Sequence, residues 1–341
     1  MAPFGALGGD SNSAVGFLDA HPAECAFAWG RYLGHARRVT GWAAGVREVL
    51  FSSADGNPVS ALVETLYTTN MTEERLPGGY STGAVLIGDV IHKPAAPWTS
   101  TVHALVRHLE DAGFDGAPRT LGFDDQGREM LTYLPGDTVG DRTPWPAWAH
   151  SDSTLIQVGR WLRRLHDTTV SFVPPANERW FIGGTVQPGL IVGHQDAAPY
   201  NAVVDGDRLV GFCDWDIAGP SSREFDLALS ALWWVPLCPP SAVEPLGFHD
   251  FDGRSRRLHL LLDAYGYDAD RQGFGAVIVQ RARRQAAGLA LAGERRALLI
   301  MRDLLADLGT HRRARRDSNP QPSDPQPDQG CPGSPGSSGS D

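Results

Sequence analysis

The feature that most constrains the fold is a short β-hairpin, "AVVDGDRLVGFC", at residues 202–213. Two apolar runs flank an Asp205-Gly206 turn signal. Such a pair suits a tight turn because glycine adopts a positive φ at no steric cost. Folding the hairpin returns the chain beside its own beginning. We therefore expect Asn201, which precedes the first strand, to face Asp214, which follows the second.

The polar residues at the base of this hairpin suggest a metal site beside a proton acceptor. An amide oxygen from Asn201 and a carboxylate from Asp214 suit Mg²⁺, which takes one or two carboxylates together with water and phosphate oxygens. Asp196 lies on the loop "GHQDAAPYN" just before the first strand. This third group is not needed for the metal and is free to accept a proton from a hydroxyl. Together the three residues form the minimal apparatus of phosphoryl transfer, where catalysis is mostly positioning and charge neutralisation.

The same stretch resembles a known family. "HQDAAPYN" followed by "GFCDWDIAGPSSREFDLA" is similar to the aminoglycoside phosphotransferase and choline-kinase-like group of small-molecule kinases, and the resemblance covers roughly residues 72–310. It implies a protein-kinase-like fold, with Asp196 as the catalytic base and Asn201 and Asp214 as the Mg²⁺ ligands. The H-x-D-x-x-x-x-N element and the D-W-D element, in this order and at this separation, are its specific part.

The resemblance also implies supporting roles for three neighbours of these residues. Asp216 lines the same pocket without a defined task, and His194 braces the loop rather than doing chemistry. Asp226, in "EFDLA", supports the catalytic loop from a helix start, where a carboxylate also satisfies free backbone N–H groups.

The nucleotide would be bound by three further segments. Gly78 and Gly79, in "LPGGYSTG", allow the chain to turn tightly over phosphate oxygens, although no G-K-[ST] follows as in a Walker A motif. Lys93 is the only lysine in the sequence, and it lies on the next strand, where the kinase-like fold places its phosphate-contacting cation. The linker "LTYLPG" would offer backbone groups of Thr132, Tyr133 and Leu134 to the edge of an adenine or guanine.

One departure from the family concerns the partner of Lys93. Kinase-like enzymes pair this lysine with a glutamate on the following helix, but that neighbourhood carries His103, and the nearest acid is Glu110. Three alternatives stay open: His103 substitutes for the glutamate, Glu110 reaches back, or phosphate alone holds the lysine.

The expected fold class is α+β, with the two lobes of a protein-kinase-like fold: a small antiparallel β N-lobe and a larger, mainly helical C-lobe. A hairpin turns at Gly88-Asp89, a helix of about 99–112 is capped by Thr99 or Ser100 and stopped by Gly113, and a strand covers 128–136. A second helix covers 151–169 behind an N-terminal Ser-Asp cap at Ser151 and Asp152, and helices dominate from 223 to 308. The expected domains are an N-terminal extension of uncertain status at 1–70, a nucleotide-binding N-lobe at 71–136, a catalytic and substrate-binding C-lobe at 137–316, and a disordered tail rich in Pro, Gly and Ser at 317–341.

Composition restricts the function classes. A net charge of −10 argues against nonspecific nucleic-acid binding, which needs a basic footprint. No run approaches the roughly 18 apolar residues of a membrane helix, and the N-terminus lacks the pattern of a secretory signal, so we expect a cytoplasmic protein without a membrane partner. The cysteines have no C-x-x-C spacing and are expected to be free thiols: Cys25, Cys213, Cys238 and Cys331. His166 is expected to be structural or a cap, and "LWWVP" at 232–236 to be core.

The leading hypothesis is a Mg²⁺-dependent kinase that moves the γ-phosphoryl group of ATP or GTP to a hydroxyl of a small molecule. Residues 241–316 hold fourteen arginines against nine acids, which favours a neutral or anionic metabolite as acceptor, unless the acids at 224, 244, 250 and 252 line the cleft. The alternatives are a catalytically weak nucleotide-binding pseudokinase or scaffold, which the His103 departure motivates, and a metal-dependent hydrolase using the same carboxylates. The sequence specifies neither the oligomeric state nor the choice between ATP and GTP.

Overall fold

The computed structural model describes residues 73–76 and 83–291, with the side chains of 288–291 left aside. The predictions for 1–70 and 317–341, and those for Gly78 and Gly79, lie outside these residues.

An antiparallel sheet forms the first part of the described chain. Its spatial order is β1-β2-β3-β5-β4, and every neighbouring pair is antiparallel. The predicted turn at Gly88-Asp89 joins the second and third strands. The strand of this sheet that comes last in sequence, β5, ends at Thr132, four residues before the predicted end at 136. The strands are β1 (Glu74–Arg75), β2 (Val85–Ile87), β3 (Val90–Pro94), β4 (Thr120–Phe123) and β5 (Arg128–Thr132).

Helix α1 (Thr99–Asp111) packs an apolar face against the core through Leu105 and Leu109, which are fully buried. The predicted bounds are confirmed to within one residue. The predicted cap is wrong, because the Thr99 hydroxyl accepts a hydrogen bond from Ala96 N, which precedes the helix. Gly113 ends the helix as expected: its φ of +72° is left-handed, and its N–H donates to a carbonyl of the last turn.

The second part of the described chain is mainly helical and carries two small antiparallel strand pairs. β6 pairs with β9, and β7 pairs with β8 through a two-residue Gly206-Asp207 turn, which confirms the predicted hairpin. Its elements are α2 (Asp152–Thr169), β6 (Ile191–Gly193), β7 (Ala202–Asp205), β8 (Arg208–Phe212), β9 (Gly219–Ser221), α3 (Arg223–Trp234), α4 (Pro240–Val243), α5 (Arg254–Tyr265) and α6 (Arg271–Leu291), with 3₁₀ turns at Ala147–His150, Pro199–Asn201 and Glu244–Leu246.

Helices α2 and α5 approach each other closely. Ser151 caps α2 by accepting a hydrogen bond from Thr154 N, as its sequence predicts. At Gly159 an added Cβ would lie 2.8 Å from the Ala264 methyl and 2.9 Å from the Leu261 carbonyl oxygen. Only glycine allows this approach, which buries the apolar faces of both helices.

The core of the helical part is centred on α3, where Leu232 and Trp234 are fully buried and Trp233 nearly so. The prediction that "LWWVP" is core is therefore confirmed. At the end of α3, the buried Arg257 of α5 donates to the carbonyl oxygens of Trp234 and His150, each at 2.8 Å. Among residues 73–76 and 83–291, no helix combines the length and the apolar character needed to cross a membrane.

The link between α1 and β4 contacts the hairpin at one glycine, Gly116. Its carbonyl oxygen accepts hydrogen bonds from Phe212 N at 3.2 Å and from the Trp161 indole at 3.1 Å. Gly211, on β8, lies directly against this carbonyl, so an added Cβ would overlap it. The sheet and the helical part are therefore joined where two glycine backbones meet.

The close contact between Gly211 and the Gly116 backbone predicts how a methyl group added at Gly211 changes the stability of the protein. We expect Gly211→Ala to lower the free energy of unfolding by about 1–3 kcal/mol, because the new Cβ must displace the Gly116 backbone. The matched control is Gly275→Ala on α6, where an added Cβ meets no atom within 4 Å. Helix propensity should make that change neutral or stabilising by up to about 1 kcal/mol. Urea unfolding checks both, and equal midpoints for the two variants would contradict the packing argument.

Candidate active site

The loop that follows β6 carries a residue in an unusual backbone conformation. Gln195 has a φ of +64°, in the left-handed region that side chains rarely adopt. Its N–H donates to Asp226 Oδ1 at 2.8 Å. On the other side, the buried Arg281 of α6 donates to the side-chain oxygen and to the carbonyl oxygen of Gln195, each at 2.9 Å. The surrounding structure therefore holds the loop in a conformation that it would not adopt alone.

Asp226, buried on α3, is the anchor of this loop. Its second oxygen, Oδ2, accepts a hydrogen bond from His166 Nε2 at 2.9 Å, and His166 Nδ1 lies 2.9 Å from the Tyr265 hydroxyl. A Cβ at Gly193 would lie 2.5 Å from the carboxyl carbon, so the strand passes directly over the acid. Asp226 thus supports the loop from the start of a helix, although the cap of that helix is Ser222, which accepts from Phe225 N. His166 is structural, as expected.

His194 ties the loop to the end of β8. Its Nε2 lies 3.0 Å from the Cys213 carbonyl oxygen, and its Nδ1 accepts from Asp196 N at 3.3 Å. Burial lowers the pKa of His194 to about 4, so the ring is neutral and donates through Nε2–H. The ring packs edge-on against Trp215, with centroids 4.6 Å apart. This geometry agrees with a bracing role.

The Asp196 carboxylate is 5% exposed and is oriented through both oxygens. Oδ1 accepts a hydrogen bond from the Tyr200 hydroxyl at 2.7 Å, and Oδ2 accepts from Asn201 Nδ2 at 2.8 Å. Burial raises the pKa of Asp196 to about 8, and the charge of Asp214 adds to the rise, while the two hydrogen bonds oppose it. A carboxylate in this environment is a stronger base than one in water.

Asn201 and Asp214 meet at the base of the hairpin, as the sequence predicts. Cys213 N donates to the Asn201 carbonyl oxygen at 2.9 Å, and Asp214 follows with a left-handed φ of +57°. That side chain is 48% exposed. The Asn201 amide nitrogen donates to Asp196, which leaves its amide oxygen as a ligand for a cation.

These donors fit Mg²⁺ only if the bound nucleotide and water complete the coordination. Within the described ranges, no group of three or more His, Cys, Asp and Glu side chains could hold a metal ion by itself. One amide oxygen and one carboxylate are nevertheless the kind of sparse protein ligand set that Mg²⁺ accepts alongside phosphates.

Lys93, on β3, is 6% exposed and faces three carboxylates. Its Nζ lies 2.9 Å from Asp216 Oδ1, 3.3 Å from Glu129 Oε1 and 4.0 Å from Asp214 Oδ1. Burial alone would lower the pKa of Lys93, but the surrounding acids raise it well above its usual value, so the ammonium stays charged. The structure therefore brings the sole lysine to the D-W-D segment.

The partner of Lys93 differs from all three alternatives that the sequence left open. Glu129 on β5 is directly opposite Lys93 in the β3–β5 register and forms an ion pair with it at 3.3 Å, beside the shorter one to Asp216. His103 does not replace this glutamate but binds it, with Nε2 3.0 Å from Glu129 Oε2. Glu110 does not reach back, because it pairs with the exposed Arg119 at 3.3 Å. Pairing "VIHKP" with "REMLT" in sequence would have revealed Glu129.

The expected nucleobase linker offers fewer free groups than predicted. Thr132 N donates to the Arg119 carbonyl oxygen, and Tyr133 N donates to the Asp89 carbonyl oxygen at 3.0 Å. These two N–H groups are used inside the protein. Leu134 N makes no hydrogen bond to another residue in the described part of the chain, so a base contact at Leu134 stays a prediction.

Two residues of the site escaped the sequence reasoning. Tyr200 lies four residues after Asp196 in the same loop, and that spacing was a usable signal. Arg281 belongs to "RARR", and its neighbours Arg283 and Arg284 resemble a solvated face. Nothing in the local pattern of Arg281 distinguishes it from those neighbours, because its partner, Gln195, is 86 residues away.

The anchoring of the loop predicts a large effect on stability. We expect Asp226→Ala to cost about 3–5 kcal/mol, because it leaves the buried Gln195 N–H and His166 without their partner. The matched control is Asp115→Ala, which breaks an exposed ion pair with Arg164 and should cost less than about 1 kcal/mol. Denaturant unfolding at pH 7 provides the measurement, and similar losses for the two variants would contradict the anchor.

The Asp226 carboxylate also predicts how the stability of the protein depends on pH. Burial raises the pKa of Asp226, but the hydrogen bond and charge of His166 outweigh it, so the folded-state pKa lies below its usual value. Its stabilising effect is therefore complete above about pH 4 and is lost as the pH falls through the folded-state pKa. We expect the stability gap between the wild-type protein and Asp226→Ala to narrow below about pH 4. A gap that widens in acid would show that the carboxylate is not ionised in the folded state.

Solved structures share this fold. The amicoumacin kinase in complex with AMP-PNP and Ca²⁺ superposes with a TM-score of 0.51 at 12% identity, covering 74% of this chain and 94% of that one. A choline/ethanolamine kinase family protein from Mesorhizobium loti gives a TM-score of 0.47 at 17% identity, covering 76% of this chain and 95% of that one. The likeness to the amicoumacin kinase confirms the expected α+β, kinase-like fold.

At the level of sequence, no family model matches the chain. A curated relative does match: the trifolitoxin immunity protein of Rhizobium leguminosarum bv. trifolii is 37% identical over 203 residues, which is 58% of this chain and 76% of the relative. With this identity over three quarters of the relative's length, the chain belongs to the trifolitoxin immunity protein family.

Proposed function

We propose that this protein is a Mg²⁺-dependent kinase that transfers the γ-phosphoryl group of ATP or GTP to a hydroxyl group of a small molecule. The observation that carries the proposal is the convergence of four side chains. A buried, doubly hydrogen-bonded Asp196 lies beside Asn201 and the hairpin base, and the Lys93 ammonium reaches the same Asp214 that follows this hairpin. The kinase-like fold supports it, because the neighbouring amicoumacin kinase is described with a nucleotide analogue and a divalent cation.

In this reaction Asp196 accepts the proton of the acceptor hydroxyl. The hydroxyl oxygen forms a bond to the γ-phosphorus while the bond to the β–γ bridging oxygen breaks, so the nucleoside diphosphate leaves and the proton goes to Asp196. Tyr200 and Asn201 fix both carboxylate oxygens of Asp196, which orients the group for proton transfer.

Asn201 and Asp214 would hold the cation through the amide oxygen and the half-exposed carboxylate. When bound, Mg²⁺ supplies neutralisation of the charge that develops on the phosphate oxygens. Lys93 would also contact the phosphates, exchanging its contact with Asp216 for one with a phosphate oxygen. Each of these groups positions charge rather than forming a covalent bond.

The nucleotide would lie between the five-stranded sheet and the helical part, which amounts to the two-lobed arrangement expected from the sequence. Under this proposal residues 71–136 form the nucleotide-binding lobe and residues 137–316 the catalytic and substrate-binding lobe. Leu134 N would then meet the base edge. We propose a cytoplasmic location for this activity, because ATP and Mg²⁺ are available there.

The acceptor proposed here is a hydroxyl-bearing toxin or antibiotic. The relative is named for immunity to trifolitoxin and the neighbouring structure is named as a kinase of amicoumacin, and phosphorylation of a toxin would account for immunity to it. A neutral or anionic metabolite, favoured by the arginine-rich helices, is the second acceptor class.

The pseudokinase alternative loses the observation that motivated it. It rested on the missing helix glutamate, but Glu129 supplies a carboxylate to Lys93 from the neighbouring strand. The hydrolase alternative is not favoured by any cluster of metal-binding side chains in the ranges that the structure describes.

The role of Asp196 predicts a selective loss of turnover. We expect Asp196→Asn to lower kcat by about 10²- to 10⁴-fold, because the general base is lost, while the affinity for Mg·ATP changes little. The assay follows ATP consumption in the presence of Mg²⁺ against a panel of hydroxylated antibiotics, toxins and metabolites. Calorimetric titration with Mg·ATP reports binding. Undiminished phosphorylation by the variant would refute the role.

The role of Asp214 predicts a loss of nucleotide binding instead. We expect Asp214→Asn to weaken Mg·ATP binding by about tenfold or more, because a charged ligand of the cation is removed. The matched control is Asp205→Asn at the exposed tip of the same hairpin, whose one ion pair, with Arg208, is long at 3.8 Å. The control should bind as the wild type does. Equal affinities for Mg·ATP in the Asp214 variant and in this control would exclude Asp214 as a ligand.

A further inference from the structure

Three carboxylates surround the Lys93 ammonium, and they differ in what carries them. Asp214 and Asp216 lie on the segment after β8, in the helical part of the chain. Glu129 alone lies on the same sheet as the lysine, directly opposite it in the β3–β5 register. Residues paired in this way have Cβ atoms about 4.5–5.5 Å apart. The Glu129 contact is therefore fixed by strand pairing, whereas the other two depend on how the D-W-D segment lies.

His103 fixes the glutamate in turn. One carboxylate oxygen of Glu129, Oε1, faces Lys93 at 3.3 Å, and the other, Oε2, lies 3.0 Å from His103 Nε2. Lys93, Glu129 and His103 are 6%, 2% and 1% exposed, so water does not compete for these contacts. His103 comes from α1, and its ring stacks on Phe123, with centroids 5.0 Å apart. The carboxylate is thus clamped between a strand and a helix.

This clamp bears on the metal ligands. An ammonium left with only Asp214 and Asp216 would be drawn fully onto them, since a buried charge needs close partners. Glu129 and Asp216 share the ammonium, at 3.3 Å and 2.9 Å, and the Asp214 contact is the longest of the three at 4.0 Å. Asp214 is also half exposed, which leaves its carboxylate accessible to a cation. Glu129 is therefore the partner of Lys93 that stays in place if Asp216 yields its contact to a phosphate.

We propose that Glu129 and His103 are positioning residues of the kinase reaction: Glu129 on β5 holds Lys93 for the nucleotide phosphates, and His103 on α1 holds Glu129. This inference rests on the proposed function. It makes the strand, rather than the following helix, the source of the carboxylate that orients the lysine.

The proposal predicts that Glu129→Gln weakens Mg·ATP binding at least tenfold. The variant removes the charge but keeps the size of the side chain, so a purely structural role would show in thermal unfolding rather than in nucleotide affinity. The matched control is Glu110→Gln, the exposed acid of α1 that contacts Arg119 instead of Lys93. Titration calorimetry with Mg·ATP should give the wild-type affinity for this control. An affinity of Glu129→Gln within twofold of the wild type would overturn the proposal.

A relocation variant separates positioning from packing. The double variant His103→Glu, Glu129→Gln moves the carboxylate from β5 to α1. The new glutamate would approach Lys93 from the helix, next to the position that the Glu129 carboxylate held. We expect it to recover at least fivefold of the Mg·ATP affinity lost in Glu129→Gln, and no recovery in a folded double variant would count against the proposal. If neither variant with the Glu129 change folds, a comparison of His103→Gln with His103→Leu tests the proposal. The glutamine amide still donates to Glu129 and should preserve the affinity for Mg·ATP. The leucine cannot donate and should lower that affinity at least threefold, and equal affinities of the two variants would refute the clamp.

The outcome for this inference is distinguishable from that for the proposed function. If the wild-type protein binds Mg·ATP but phosphorylates no compound of the panel, the kinase assignment fails, while the affinities of the variants still judge the clamp. If the wild-type protein phosphorylates an acceptor and Glu129→Gln does so with unchanged kcat and KM for ATP, the clamp fails and the kinase assignment stands.

Discussion

The site depends on one buried carboxylate, Asp226. It accepts a hydrogen bond from the backbone of Gln195, whose left-handed conformation would not persist without a partner, and a second from His166. Because Gly193 passes within contact distance, the strand and the acid must fit each other before the loop can close. Because Gln195 directly precedes Asp196, this contact holds the backbone from which the Asp196 carboxylate reaches Tyr200 and Asn201. A surface aspartate could not do this, since its hydrogen bonds would exchange with water.

A second constraint is electrostatic. The site brings several acidic groups together, and the Lys93 ammonium contacts three of them: Glu129, Asp214 and Asp216. Such an arrangement leaves negative charge that a divalent cation can neutralise, which agrees with a metal–nucleotide complex as ligand. The chain is acidic overall, yet its one lysine lies where the carboxylates converge. Lysine suits this place as a compact charge that can move from a carboxylate to a phosphate, whereas an arginine fork would be held by its bidentate geometry.

Local sequence signals predicted those parts of the fold that local chemistry determines. The hairpin, the Gly113 helix stop and the Ser151 cap follow from backbone preferences of the residues themselves and lie where expected, although the two turn residues are Gly206 and Asp207 rather than Asp205 and Gly206. The convergence of Asn201 with Asp214 followed from the hairpin. The Lys93 partner was missed because it depends on which strands are neighbours: β3 pairs with β5, across an intervening helix and strand. Arg281 was missed for the same reason, since a contact spanning 86 residues leaves no trace in a local pattern.

The two hydrogen bonds from Arg281 to Gln195 connect α6, the last described helix, to the loop that carries Asp196. Its guanidinium also lies 4.9 Å from the Phe225 ring, so it connects α6, the start of α3 and the loop at one point. A transient opening of α6 would release the loop as well, and the two segments should exchange their amide hydrogens as one cooperative unit. The rate at which the Gln195 loop opens therefore depends on α6, a helix that holds the loop through Arg281.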